Sequence, residues 1–125
     1  MSWIEARLNC SCESAWTILR ETILSDLDEW RTLTRANTGS PVVASEGKRI
    51  TVTLGGDAGE IWVSVQKTER RITVRRPDPS KEGGYVSFDF IPRLNDAGEC
   101  RLWLGERELE FWQASRQVLE PVLFP

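Results

Sequence analysis

Histidine is absent from this sequence of 125 residues. Its absence removes Ser-His-Asp and Cys-His nucleophilic machinery. It also removes the commonest nitrogen ligand of zinc sites. Cysteine is scarce. Cys10 and Cys12 form a C-x-C pair, but with a distant Cys100 they leave a metal short of four ligands. An odd count without framework spacing does not fit a disulfide scaffold, so Cys10 and Cys100 read as small core residues.

Long apolar runs are missing too. Nothing approaches the roughly 18 residues that cross a bilayer. The chain opens without a basic region leading into an apolar stretch, so a cytoplasmic location is expected and no membrane association. Positive charge is in deficit: 16 Lys and Arg against 19 Asp and Glu leave a net charge of −3. No general attraction to nucleic acid or to an anionic membrane follows. Gly55-Gly56-Asp57-Ala58-Gly59 lacks the Lys-Ser/Thr ending of a phosphate loop and sits between strands. No nucleophile motif is found, so neither enzymatic activity nor a cofactor is expected.

What is present is ordinary in bulk, with 40% apolar and 28% charged residues. The length suits one domain, residues 1–125. Ile4, Ala6, Leu8 and Cys10 alternate with Glu5, Arg7 and Asn9, which predicts a strand with its even positions inside. Ser11 is a candidate N-cap. Trp16, Leu19, Ile23 and Leu27 then fall on a helical stripe. Ser25-Asp26-Leu27-Asp28 reads as a second cap, opening a short helix that turns Trp30 and Leu33 inward. From Gly39 to Gly105 apolar residues alternate in short runs separated by turn residues. These runs cover 42–45, 50–54, 61–65, 72–74, 86–90 and 100–104. They predict an antiparallel meander of about six strands. Leu109, Phe111, Trp112, Ala114, Val118 and Leu119 mark a terminal helix, expected to stop at Pro121.

The opening Ser2 to Trp30 and the stretch YVSFDFIPRLNDAGECRLWL resemble the START and Bet v1-like (SRPBCC) superfamily. The likeness lies in an opening strand, an Ala-Trp starting the helix, a Trp near the end of the second helix, and a late hairpin. It implies a helix-grip fold: an α+β domain whose curved antiparallel sheet, preceded by strand, helix and helix, packs on a C-terminal helix. It also implies binding of a small apolar ligand beneath that helix. Pro121 limits the helix to about three turns and the space under it. The alternative is an unrelated α+β domain with helices on one sheet face, such as an acidic dimeric secretion chaperone.

Six tryptophans are the unusual feature. Trp16, Trp30 and Trp112 lie on helix stripes. With Phe88 and Phe90 they are core residues or the lining of an apolar pocket. Trp3, Trp62 and Trp103 sit opposite the aliphatic face of their runs. Together with Tyr85 they suggest an outer aromatic surface for a protein partner or a homodimer. In a helix-grip sheet Trp3 and Trp103 would be neighbours. Arg70, Arg71, Arg75 and Arg76 are a candidate anion site or a solvated hairpin end. Asp26, Asp28 and Glu29 are paired carboxylates or, more simply, acids serving a helix start. The leading expectation is therefore a non-enzymatic binder of a small apolar ligand. The alternative is an adaptor or chaperone-like module acting through its outer aromatic face.

Overall fold

A computed structural model describes residues 2–34, 42–54, 61–78, 80–81 and 83–124. The glycine-rich stretch 55–59 lies outside them. Two helices come first: α1 (Trp3–Asn9) and α2 (Cys12–Thr34). Seven strands follow: β1 (Val42–Glu46), β2 (Arg49–Leu54), β3 (Ile61–Lys67), β4 (Ile72–Pro77), β5 (Tyr85–Leu94), β6 (Cys100–Leu104) and β7 (Arg107–Leu109). The last element is α3 (Phe111–Leu123). The strands pair antiparallel in chain order, β1 to β7. The fold is α+β, with the terminal helix packed on an antiparallel meander, as the alternation predicts.

The opening is different from the expectation: residues 3–9 are helical. Ser2 caps α1 by accepting from the Glu5 backbone N–H at 3.2 Å. Glu5, Ala6, Arg7 and Leu8 are all good helix formers. Ile4 and Leu8 alternate with polar residues, but they are also four apart, so seven residues satisfy both periods. Neither joins the interior; Leu8 is 73% exposed, and no residue of α1 is buried.

Ser11 does cap α2, accepting from Ser14 N–H at 3.1 Å. The expected second cap does not form. Helix α2 runs through Ser25 and Asp26 without interruption, because Leu19, Ile23 and Leu27 keep one stripe in the core. Trp30 is then half-buried, and Leu33 faces solvent. β7 is also additional. Gly105, at φ 63°, turns the chain in a conformation that suits glycine, and three residues return beside β6.

One face of the sheet carries the core. Ile50, Val52, Val63, Val65, Ile72, Val74, Phe90 and Leu102 are fully buried against Leu19, Ile23 and Leu27 of α2 and Ala114 and Val118 of α3. Each buried aliphatic side chain of this kind contributes about 1.5–3 kcal/mol. Ser115, fully buried, donates to Asp26 Oδ2 at 2.6 Å and links the two helices.

Helix α3 does not stop at Pro121. Proline has no N–H for the Gln117 carbonyl four residues back. Arg76, buried under α3, supplies the missing donor: its Nε reaches Gln117 O at 3.0 Å. The helix therefore continues to Leu123.

Cys10 and Cys100 form a disulfide, with Cα atoms 5.3 Å apart. They are not free core thiols. Cys10 follows α1, and Cys100 starts β6 on the core face, so the bond ties α1 to the late hairpin. Two half-strand signals 90 residues apart gave no hint of this proximity.

Candidate functional site: the outer sheet face

Alternation sends the other half of each strand to the opposite face, which neither α2 nor α3 covers. The register sets its rows. Thr51, Ser64, Arg75 and Ser87 lie across β2 to β5. Arg49, Gln66, Thr73 and Asp89 form the next row. Ile91, Trp103 and Glu108 extend the face over β5 to β7, with Arg93 opposite Arg101.

The aromatic residues cluster at one end. Trp62 on β3 and Tyr85 on β5 are two strands apart. Tyr85 pairs with Pro77 on the strand between them. A proline there raises no long side chain, and the two rings stack on each other. Their centroids are 4.8 Å apart with 25° between the planes. The Arg75 guanidinium lies against both, 5.3 Å from the Trp62 ring and 5.6 Å from Tyr85. On β5, Arg93 lies 4.7 Å from the Trp103 ring centroid. The Trp103 Nε1 is buried and has no hydrogen-bond partner among the described residues.

Not all charges on this face are alike. Arg71 pairs with Asp89 at 3.2 Å, and Thr73 Oγ1 donates to the same carboxylate at 2.7 Å. Arg101 is held by Glu99 at 2.8 Å, with Glu110 at 3.7 Å and Glu108 at 3.9 Å. Arg49 Nη2 donates to the Gln66 side chain at 2.8 Å. Among the described residues no carboxylate lies within 4.0 Å of the Arg49, Arg75 or Arg93 side chains. Arg49, Arg75, Trp62 and the Thr51, Ser64 and Ser87 hydroxyls border a shallow concavity of about 380 Å³.

The run of arginines thus divides. Arg70 is an exposed turn residue, Arg71 and Arg75 take the outer face, and Arg76 goes inside. Burial pulls the Arg76 guanidinium below its ordinary pKa, and nearby Asp78 partly offsets this. The run is therefore neither one anion site nor one solvated end. Asp26, Asp28 and Glu29 lie within the body of α2 rather than at a helix start.

Of the residues expected to line an apolar pocket, Trp16, Phe88 and Phe90 meet in the core, and Trp30 and Trp112 do not join them. Phe90 is fully buried, and Trp16 is buried with its Nε1 donating to Gly47 O at 3.2 Å. Phe88 is half-buried under Arg76, 5.1 Å from its ring centroid. Trp30 is half-buried on α2. Trp112 points outward, 53% exposed, and bonds Glu110. A surface concavity of about 420 Å³ does flank α3, but apart from Leu109 and Pro121 its walls are the polar Arg107, Gln113, Arg116, Gln117 and Glu120.

Of the four expected interface residues, the sheet brings Trp62, Tyr85 and Trp103 to one face. Trp3 is on α1 instead, 74% exposed. It is not a strand neighbour of Trp103, because its segment is helical. That Arg49, Arg75 and Arg93 have no carboxylate partner among the described residues had no sequence signal, since pairing depends on register. Cys12 remains a free thiol. Burial pushes its pKa up, and Lys67 opposes that shift. Among the described residues no group of His, Cys, Asp and Glu is placed to hold a metal ion, and no helix is long and apolar enough to cross a membrane. Comparison with family models, with curated proteins and with solved structures finds no match for this chain.

Proposed function

We propose that this chain is a non-enzymatic binding module that docks a protein partner on the outer face of its sheet. The carrying observation is the coincidence of Trp62, Tyr85 and Trp103 with ring-bound arginines on a face that α2 and α3 leave open. Aromatic and arginine side chains supply a large share of binding energy at protein interfaces. An apolar pocket has less support. Of its expected lining residues, Trp16, Phe88 and Phe90 are packed in the core, Trp30 is half-buried and Trp112 is exposed.

The disulfide argues for an oxidising compartment, against the cytoplasmic expectation. A photoreactive residue at Ser87, on the outer face, tests the docking reading in the cell that makes the protein. The expected result is a specific cross-linked adduct that is lost in the Trp62→Ser, Trp103→Ser variant. A control probe at Glu21, on the exposed side of α2, should give none. Adducts from Glu21 alone would reverse the assignment.

A further inference from the structure

We infer that the partner presents a carboxylate-rich peptide segment to this face. The inference rests on the docking reading above and adds the chemistry of the partner.

The chain is acidic overall, with a net charge of −3. Its outer face carries Arg49, Arg71, Arg75, Arg93 and Arg101 with Glu46, Asp89, Glu99, Glu108 and Glu110, but these acids are unevenly placed, and three of them gather on Arg101. Carboxylates occupy Arg71 and Arg101. Among the described residues Arg49, Arg75 and Arg93 have no carboxylate partner. Two of the three are already ordered on aromatic rings. A guanidinium lying against a ring face can offer edge N–H groups to a carboxylate, and Arg93 already donates from Nη2 to the Gly105 carbonyl at 3.4 Å. Ordering it beforehand lowers the entropy cost of pairing. The Thr51, Ser64 and Ser87 hydroxyls beside Arg75 add short-range donors.

The same geometry disfavours single-stranded nucleic acid. Such ligands need open ring faces on which bases stack. Here Trp62 and Tyr85 stack on each other, and Arg75 covers them.

The test is calorimetric titration of the intact oxidised protein with a deca-glutamate peptide, beside a Gly-Ser peptide and a deca-thymidine oligonucleotide of the same length. Deca-glutamate should bind, and more weakly as salt rises. The R75Q, R93Q double variant should lose at least tenfold in affinity. R116Q, whose parent is paired with Glu120 on α3, should stay within twofold. Should the glutamine variant fail to fold, R75K, R93K keeps the charge without the planar fork and should show an intermediate loss. Equal binding of deca-thymidine, no binding of deca-glutamate, or an unchanged double variant would each overturn the inference. A Ser87 adduct in cells without deca-glutamate binding would overturn the acidic partner and leave the docking face standing. Deca-glutamate binding with no Ser87 adduct would overturn the docking reading itself.

Discussion

Arg76 shows how one side chain can correct a defect elsewhere in the chain. Pro121 frees the Gln117 carbonyl, and Arg76 satisfies it from the sheet. Arg76→Met should therefore cost about 2–4 kcal/mol in urea unfolding, because a buried acceptor loses its partner. In a Pro121→Ala background the helix supplies its own N–H, and the cost should shrink by about 1 kcal/mol or more in a double-mutant cycle. An additive cycle would refute the link. Trp103 is the opposite case, a buried donor with no partner among the described residues. Trp103→Phe removes that donor and keeps a ring for Arg93. Its stability should change by less than about 1 kcal/mol, well below the 3–5 kcal/mol of a large-to-Ala core truncation. Cys12 has its thiol pKa raised by burial. The protonated form is thus favoured by folding. That contribution is complete below about pH 8.5, the ordinary thiol value, and is lost as pH rises through the raised one. Iodoacetamide should modify Cys12 more slowly than free cysteine at neutral pH, which mass spectrometry can follow.

Among elements, α1 has the weakest hold. It buries no side chain, and its firm attachment is the Cys10–Cys100 bond. Closing a loop of this length constrains the unfolded chain by about 3–5 kcal/mol. Reduction, or Cys100→Ser, should lower the urea midpoint accordingly and deprotect the amides of residues 3–9 in hydrogen exchange. Retained protection there would mean that α1 packs by itself. The cap of α1 was legible after all: Ser2 and Glu5 have the S-x-x-E spacing of a capping box. Alternation of Ile4, Ala6, Leu8 and Cys10 points to a strand, but the largest two, Ile4 and Leu8, are four apart and fit a helix as well. In α2 the polar residues at 25–28 resemble a cap, yet the buried stripe overrides local preference.

At the scale of the whole molecule, two helices and one sheet form two layers, and Phe90 lies fully buried at their centre. Phe90→Ala should cost about 3–5 kcal/mol by thermal or urea unfolding. A loss below about 1 kcal/mol would show that an apolar void already adjoins the ring, and would revive the pocket reading. The two faces of the sheet differ in charge as well as polarity, so ionic strength should affect partner binding far more than stability.

The sequence alone determined the α+β class, the meander, the core stripe of α2, the Ala114, Val118 and Leu119 part of that of α3, and the outward placement of Trp62, Tyr85 and Trp103. These follow from periodicity, which is a local property of the chain. Tertiary structure decided whether 3–9 is helix or strand, that Cys10 meets Cys100, that Pro121 can sit within a helix, and which arginines lack acids. Each of those depends on what a distant segment brings within a few ångströms, and no local pattern encodes that distance.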